Sequence, residues 1–214
     1  KIPGWYGKRH RLAETPMKGN GTITVRDLAT GRVIYKHPFS SLFQEWLSYP
    51  QAQESGRRAF ENVSLIPMPK QPVEVSLELR NSRHDVIASM THRIDPNDIL
   101  MTPLGEQGIL PYTTLQAPKD SSRAIHIAFV AEGYTEDEME DYLADARKAV
   151  ESIFGHEPFK SLRDRFSIIA VRSPSAESGA SIPSKEIWRD TALGSHFDTF
   201  YSERYLTTLH LRKL

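Results

Sequence analysis

At 214 residues, with 27 Lys plus Arg against 27 Asp plus Glu, the chain has no net formal charge and lacks the basic field that holds nucleic acid or an anionic bilayer. It contains no cysteine, which removes disulfides, thiolate zinc sites and cysteine nucleophiles together. No apolar run approaches the ~20 residues of a membrane-spanning helix, and the length suits one large domain or two modest ones of roughly 100 to 150 residues.

From Gly21 to about Ile94 the apolar residues recur at every second position. "TITVRD" and "RVIYKH" flank "LATG", where Gly31 suits a left-handed turn position, and this predicts a hairpin. "SSLFQEWLSYPQAQESGRRAF" has apolar residues too irregular for either period and is expected to be a loop with one helical turn. "NVSLI" reads as a further strand, stopped by Pro67 and Pro69. "VEVSLELR" puts Val73, Val75, Leu77 and Leu79 on one face and Glu74, Ser76, Glu78 and Arg80 on the other, the mark of a half-buried antiparallel strand. After the polar break "NSRHD", the stretch from Val86 repeats the pattern with Ala88, Met90 and Ile94 inward. Five short strands on turns predict an antiparallel β-sandwich over residues 1–112.

The stretch from Ile109 to Arg123 carries two prolines and a polar cluster and is read as linking material, with 113–123 as the linker proper. Over 124–214 the period changes to 3.6. Ile125 to Ala131 is a short apolar run apart from His126, the pattern of a strand covered on both faces. Thr135 stands at a helix N-cap position and Glu138 three residues later completes a capping box. Glu136 and Asp137 occupy the first turn, where carboxylates oppose the positive end of the helix dipole. Met139, Tyr142, Leu143, Ala146, Val150, Ile153 and Phe154 form one apolar stripe, ended by Gly155. Phe166 to Val171 supplies a second buried strand, and strand, helix, strand in that order predicts a right-handed crossover between parallel strands.

Several constellations invite a chemical reading. "GHEPFK" begins like the HExxH zinc motif, but its fifth position is Lys160 and Pro158 would break the required helix. Ser195, His196 and Asp198 carry the letters of a hydrolase triad, yet near neighbours in sequence cannot aim along one proton-transfer line, and no GxSxG elbow is present. "GNGTIT" precedes a strand and lacks a third glycine, so it reads as a turn rather than a phosphate loop. His84 and His92, in or beside one hairpin, read as satisfied histidines in preference to a ligand pair. Glu132 sits where open α/β sheets place ligands, after the carboxyl end of a strand. Its favoured reading is a backbone acceptor that locks the "EGYT" corner, with Gly133 permitting the bend. Glu177, Ser178 and Gly179 read as a plain connection beside a possible cleft. "SHFDTFYSERYLT" is dense in aromatic and basic side chains, which line a peptide groove or fill a core.

The strings "FVAEGYTEDEME", "EPFKSLRDRFSIIAVRSPSAESGASIP" and "FDTFYSERYLTT" are similar to the opening half of the catalytic domain in the bacterial IgA-peptidase family of zinc metallopeptidases. Ile23 to Ile99 resembles the β-rich domain that precedes it in many members. The resemblance implies an α+β chain in which a metzincin-like α/β catalytic domain follows the sandwich, with zinc held on an HExxH helix whose glutamate activates the metal-bound water. That helix is absent here and is expected downstream of Leu214, so no residue of this chain is assigned as a catalytic group or zinc ligand. The chain begins with Lys1 rather than Met and ends on "LHLRKL" without cap or tail; it is expected to be part of a longer protein. The resemblance further implies a protein or peptide substrate and a secreted, periplasmic or cell-surface location. His196, Tyr201, Arg204 and Tyr205 are the expected substrate contacts. The rival expectation is a noncatalytic adhesion or carbohydrate-binding module.

Overall fold

The structure, a computed structural model, describes residues 4–5, 7–15, 17, 19–55, 58–104, 109–199 and 205–211. The chain divides into two compact units, 1–107 and 108–214.

The first unit is built on a four-stranded antiparallel sheet of β1 (Gly21–Asp27), β2 (Val33–Phe39), β3 (Val73–Arg80) and β4 (Val86–Ile94), in the order β2-β1-β3-β4. The β1–β2 turn closes as expected. Gly31 has φ +68°, its N–H reaches the Asp27 carbonyl at 2.8 Å, and the Asp27 carboxylate accepts from the Thr30 amide and hydroxyl at 2.8 Å each. In the β3–β4 loop, Asn81 Oδ1 accepts from the amides of Arg83 and Asp85 at 2.9 Å each. Register sets Val25 beside both Tyr35 and Val75, and Ile23 beside Leu77. The resulting buried cluster of Ile23, Val25, Tyr35, Val73 and Val75 is covered by Trp5, Leu12 and Ile66 from irregular segments.

Three expectations for this unit are revised. Residues 62–66, expected as a strand, lie outside the sheet, so among the described residues there is one sheet with irregular cover instead of two facing sheets. The segment expected to hold one helical turn forms two short helices, α1 (Phe43–Leu47) and α2 (Pro50–Ser55). An aromatic trio of Phe43, Trp46 and Phe60, with ring centroids 5.9 to 6.3 Å apart, packs α1 against the segment at Phe60, and Trp46 is buried; no periodic pattern announces such a cluster. In β4, Ala88 and Met90 face the same side as Leu79 and Leu77, as expected, yet both are exposed, lining an open cavity on that face, whereas Ile94 on the same strand is half-buried against the core.

The second unit carries the three-stranded sheet β5-β7-β6, from β5 (Tyr112–Gln116), β6 (Ile125–Val130) and β7 (Phe166–Val171). β6 and β7 are parallel, running in register from Ile125 beside Phe166 to Val130 beside Val171. Between them a 3-10 turn, Glu136–Glu138, leads into α3 (Met139–Phe154). The capping box forms: the Thr135 amide donates to Glu138 Oε2 at 2.8 Å. The stripe is buried at Met139, Tyr142, Leu143, Ala146, Val150 and Phe154, against Ile168 and Ala170 of β7. Tyr142 adds a hydrogen bond from its hydroxyl to the Phe129 carbonyl at 2.9 Å.

Tyr112–Gln116 lies mostly in the stretch read as a linker, yet it pairs antiparallel to β7. The run Tyr-Thr-Thr favours extended structure, and Pro111 and Pro118 stand just outside it, where they remove no ladder hydrogen bond. β6 departs from expectation in its cover. It is an edge strand with α3 on one face only, and Ile125 remains 49% exposed.

Candidate functional site

The carboxyl ends of the parallel strands β6 and β7 gather three loops: 131–135, 172–180 and 189–199. A continuous set of hydrogen bonds ties them. The Ala131 amide continues the ladder to the Val171 carbonyl at 3.1 Å, and the buried Ser173 hydroxyl donates back to the Ala131 carbonyl at 2.5 Å. Ser175 Oγ accepts from the amides of Gly133 and Ala192 at 3.0 Å each, joining all three loops through one atom. Gly133, at φ +75°, exchanges backbone contact with Gly179, whose amide donates to the Gly133 carbonyl at 2.8 Å. A Cβ at Gly133 would collide with the Gly179 carbonyl oxygen, so both the left-handed conformation and the close approach require glycine here.

Glu132 is the centre of this junction. Its Oε1 accepts from the Thr191 hydroxyl at 2.6 Å and the Ser195 amide at 2.9 Å, and its Oε2 accepts from the Leu193 amide at 2.8 Å. Burial pushes the carboxyl up, but the donors from Thr191, Ser195 and Leu193 outweigh it and hold the group below the usual glutamate range. A carboxylate so satisfied is a weak base at neutral pH, and its function is to position. The expectation of a backbone acceptor holds, with one correction. The amides it binds belong to a loop some sixty residues downstream, while its own corner is fastened by Ser175 and Glu138. Nothing in the periodicity of "TALGS" signals that pairing.

Glu138 extends the network. Its other oxygen accepts from the Ser178 hydroxyl at 2.9 Å, so the helix cap also holds the 172–180 loop. The Thr135 amide first and Ser178 next hold its carboxyl low. Glu177 accepts from the Asp190 amide at 2.7 Å and lies 3.6 Å from Arg189. On the far side, Thr208 donates its hydroxyl to the Leu193 carbonyl at 2.5 Å.

Of the expected substrate contacts, His196 and Tyr205 lie in the described residues and both are half-buried. His196 pairs through its backbone with Thr207, at 2.9 and 3.0 Å, and its Nδ1 lies 2.7 Å from the Phe197 carbonyl. This places His196 one residue beyond the amide that Glu132 holds. Tyr201 and Arg204 lie outside the described residues.

The triad letters do not form a triad. The Asp198 carboxylate accepts from the Ser184 amide at 2.7 Å, which holds its pKa low, and His196 turns its Nδ1 to a carbonyl. The "GHEPFK" segment forms turns after α3, in which Glu157 accepts from the Ser161 amide at 3.2 Å. Among the described residues, no three His, Asp or Glu side chains converge as a metal site.

Comparison with known proteins accounts for both units. Residues 1–91 match the family described as Peptidase M64 N-terminus, and residues 113–214 match IgA Peptidase M64. No curated protein matches the chain. With its β-rich half and its crossover half matched in that order, the chain belongs to the IgA Peptidase M64 family of peptidases.

Proposed function

We propose that this chain supplies the β-rich domain and the opening scaffold of a zinc-dependent endopeptidase that cleaves protein substrates outside the cytoplasm. The observation that carries the reading is the parallel β6–α3–β7 unit, whose carboxyl-end loops are pinned by Glu132, lying within the residues that match the peptidase. Loops locked from behind by satisfied polar groups are how a scaffold holds reacting groups in place. The described residues do not themselves make a zinc centre, so the metal ligands, in an HExxH helix, are proposed to come from polypeptide following Leu214. β6 supports this reading, because an edge strand exposed on one face has room for further strands and helices to complete its core. His196 and Tyr205, with Tyr201 and Arg204, are proposed to contact the substrate beside that centre.

The test compares this 214-residue chain with one extended through the next hundred or so codons, each incubated with β-casein with and without a zinc chelator. Chelator-sensitive cleavage by the extended chain alone is expected, together with a zinc-dependent rise in its melting midpoint. Cleavage by the 214-residue chain itself, or an extension without HExxH and without activity, overturns the proposal. The second outcome would favour a binding module.

A further inference from the structure

Strand β4 is the outer edge of its sheet, with β3 on one side and no strand on the other among the described residues. It runs for nine residues. Edge strands in proteins are usually short, or carry charge or proline, because their unpaired N–H and C=O groups recruit other chains. From Val86 to Thr91, β4 has neither a charged side chain nor a proline.

Beside this edge, on the sheet face that carries Ala88 and Met90, lies a cavity of about 420 Å3, walled by Leu77 and Leu79 below and by the rings of Phe43 and Phe60. Met90 is 59% exposed along its rim. A strand paired to β4 would lie roughly 4.8 Å further out, with every second side chain on this same face. One of those side chains would descend beside Ala88 and Met90 into the cavity. Backbone edge and cavity therefore ask for the same occupant, a polypeptide in extended form with an apolar side chain at one alternate position.

A second copy of this chain is the poorer candidate. Nine residues at roughly 3.3 Å each make an edge about 30 Å long and one strand wide, a few hundred Å2 per partner. That is well short of the ~1,200 Å2 in total that a stable pair needs. A contact of this size suits an occupant that must leave again, as a substrate must.

We infer that the β4 edge and its cavity are a capture site for an extended, uncharged segment of the protein substrate that carries one large apolar side chain. Naming the occupant a substrate rests on the peptidase reading above; the capture itself does not. The test is binding of fluorescently labelled β-casein, a protein without a stable fold, to the 214-residue chain, with amide hydrogen exchange read in parallel. Casein is expected to slow exchange over Val86–Ile94. Ala88→Phe, which plugs the cavity, and Ser89→Lys, which charges the edge, are each expected to weaken binding about tenfold or more without changing the melting midpoint. Equal binding by both variants, protection elsewhere in the chain, or concentration-dependent dimerisation abolished by Ser89→Lys overturns the inference. Because the readout is binding, cleavage of casein by an extended chain with an unprotected β4 would sink this inference alone, whereas protection without any cleavage would sink only the peptidase reading.

Discussion

The two units are stabilised in different ways. In the first, the sheet buries Ile23, Val25, Tyr35, Val73 and Val75, and Thr24 is its one buried polar residue among those described. In the second, Ser173, Ser175, Ser181, Thr191, Ser195 and Thr199 are all buried, and the hydroxyls of Ser173, Ser175 and Thr191 hydrogen-bond at the carboxyl ends of β6 and β7. Apolar burial is non-directional and tolerates small shifts. Hydrogen bonds fix distances and angles, and a buried polar group left unmatched costs about 1 to 3 kcal/mol. Both units bury an apolar core, which in the second includes Met139, Leu143, Val150, Phe154 and Ile168, and the second adds polar contacts that hold particular loops in particular places.

Substitutions that break a loop contact without touching the apolar core sharpen this contrast. The largest effect is expected for Gly133→Ala, which combines a left-handed φ with a collision against backbone that cannot move aside. It should cost about 3 kcal/mol or more, measured by chemical denaturation, with loss of hydrogen-exchange protection confined to the second unit. An unchanged midpoint would mean that the close approach to Gly179 is not maintained.

Glu132→Gln comes next. It keeps the shape but loses the charge and one of the two acceptor oxygens, and should cost about 2 kcal/mol at pH 7. Its pH dependence carries a sign. Because the folded carboxyl titrates below its unfolded value, the stabilisation is present above about 4.3, the ordinary glutamate value, and is lost as the pH falls through the lower folded value. Wild type and variant should therefore converge in acid and diverge towards neutrality. A difference that is constant across pH would show that the charge contributes nothing. Thr135→Ala, which removes one half of the capping box, should cost about 1 kcal/mol, detected as lowered helicity and a lowered midpoint. The loss should be smaller than that for either corner substitution, since α3 remains packed through its buried stripe.

Much of the fold was legible in the residues. Both turns of the first sheet, the alternation in β3, the capping box and the stripe of α3 are local patterns, each set within one or two turns of chain by backbone sterics and side-chain spacing. The aromatic trio around Trp46 was not legible, because Phe43 and Phe60 meet across seventeen positions without a period. The open side of β4 was also hidden. Alternation assigns Met90 to a face, but whether that face is covered depends on what else reaches it. At the junction, the sequence marked Glu132 as an acceptor and gave no sign of its partners, since Thr191, Leu193 and Ser195 come from a distant loop without regular structure.

By itself the sequence determined the two hairpins of the first sheet, the parallel crossover in the second half and the family to which the chain belongs, because these follow from short-range periodicity and from ordered strings of residues. Tertiary structure alone decided which strands became edges, which serines and threonines were buried, and where the Glu132 carboxylate found its donors. These are outcomes of long-range packing, where hydrogen bonds and cover are supplied by segments whose meeting no local pattern encodes.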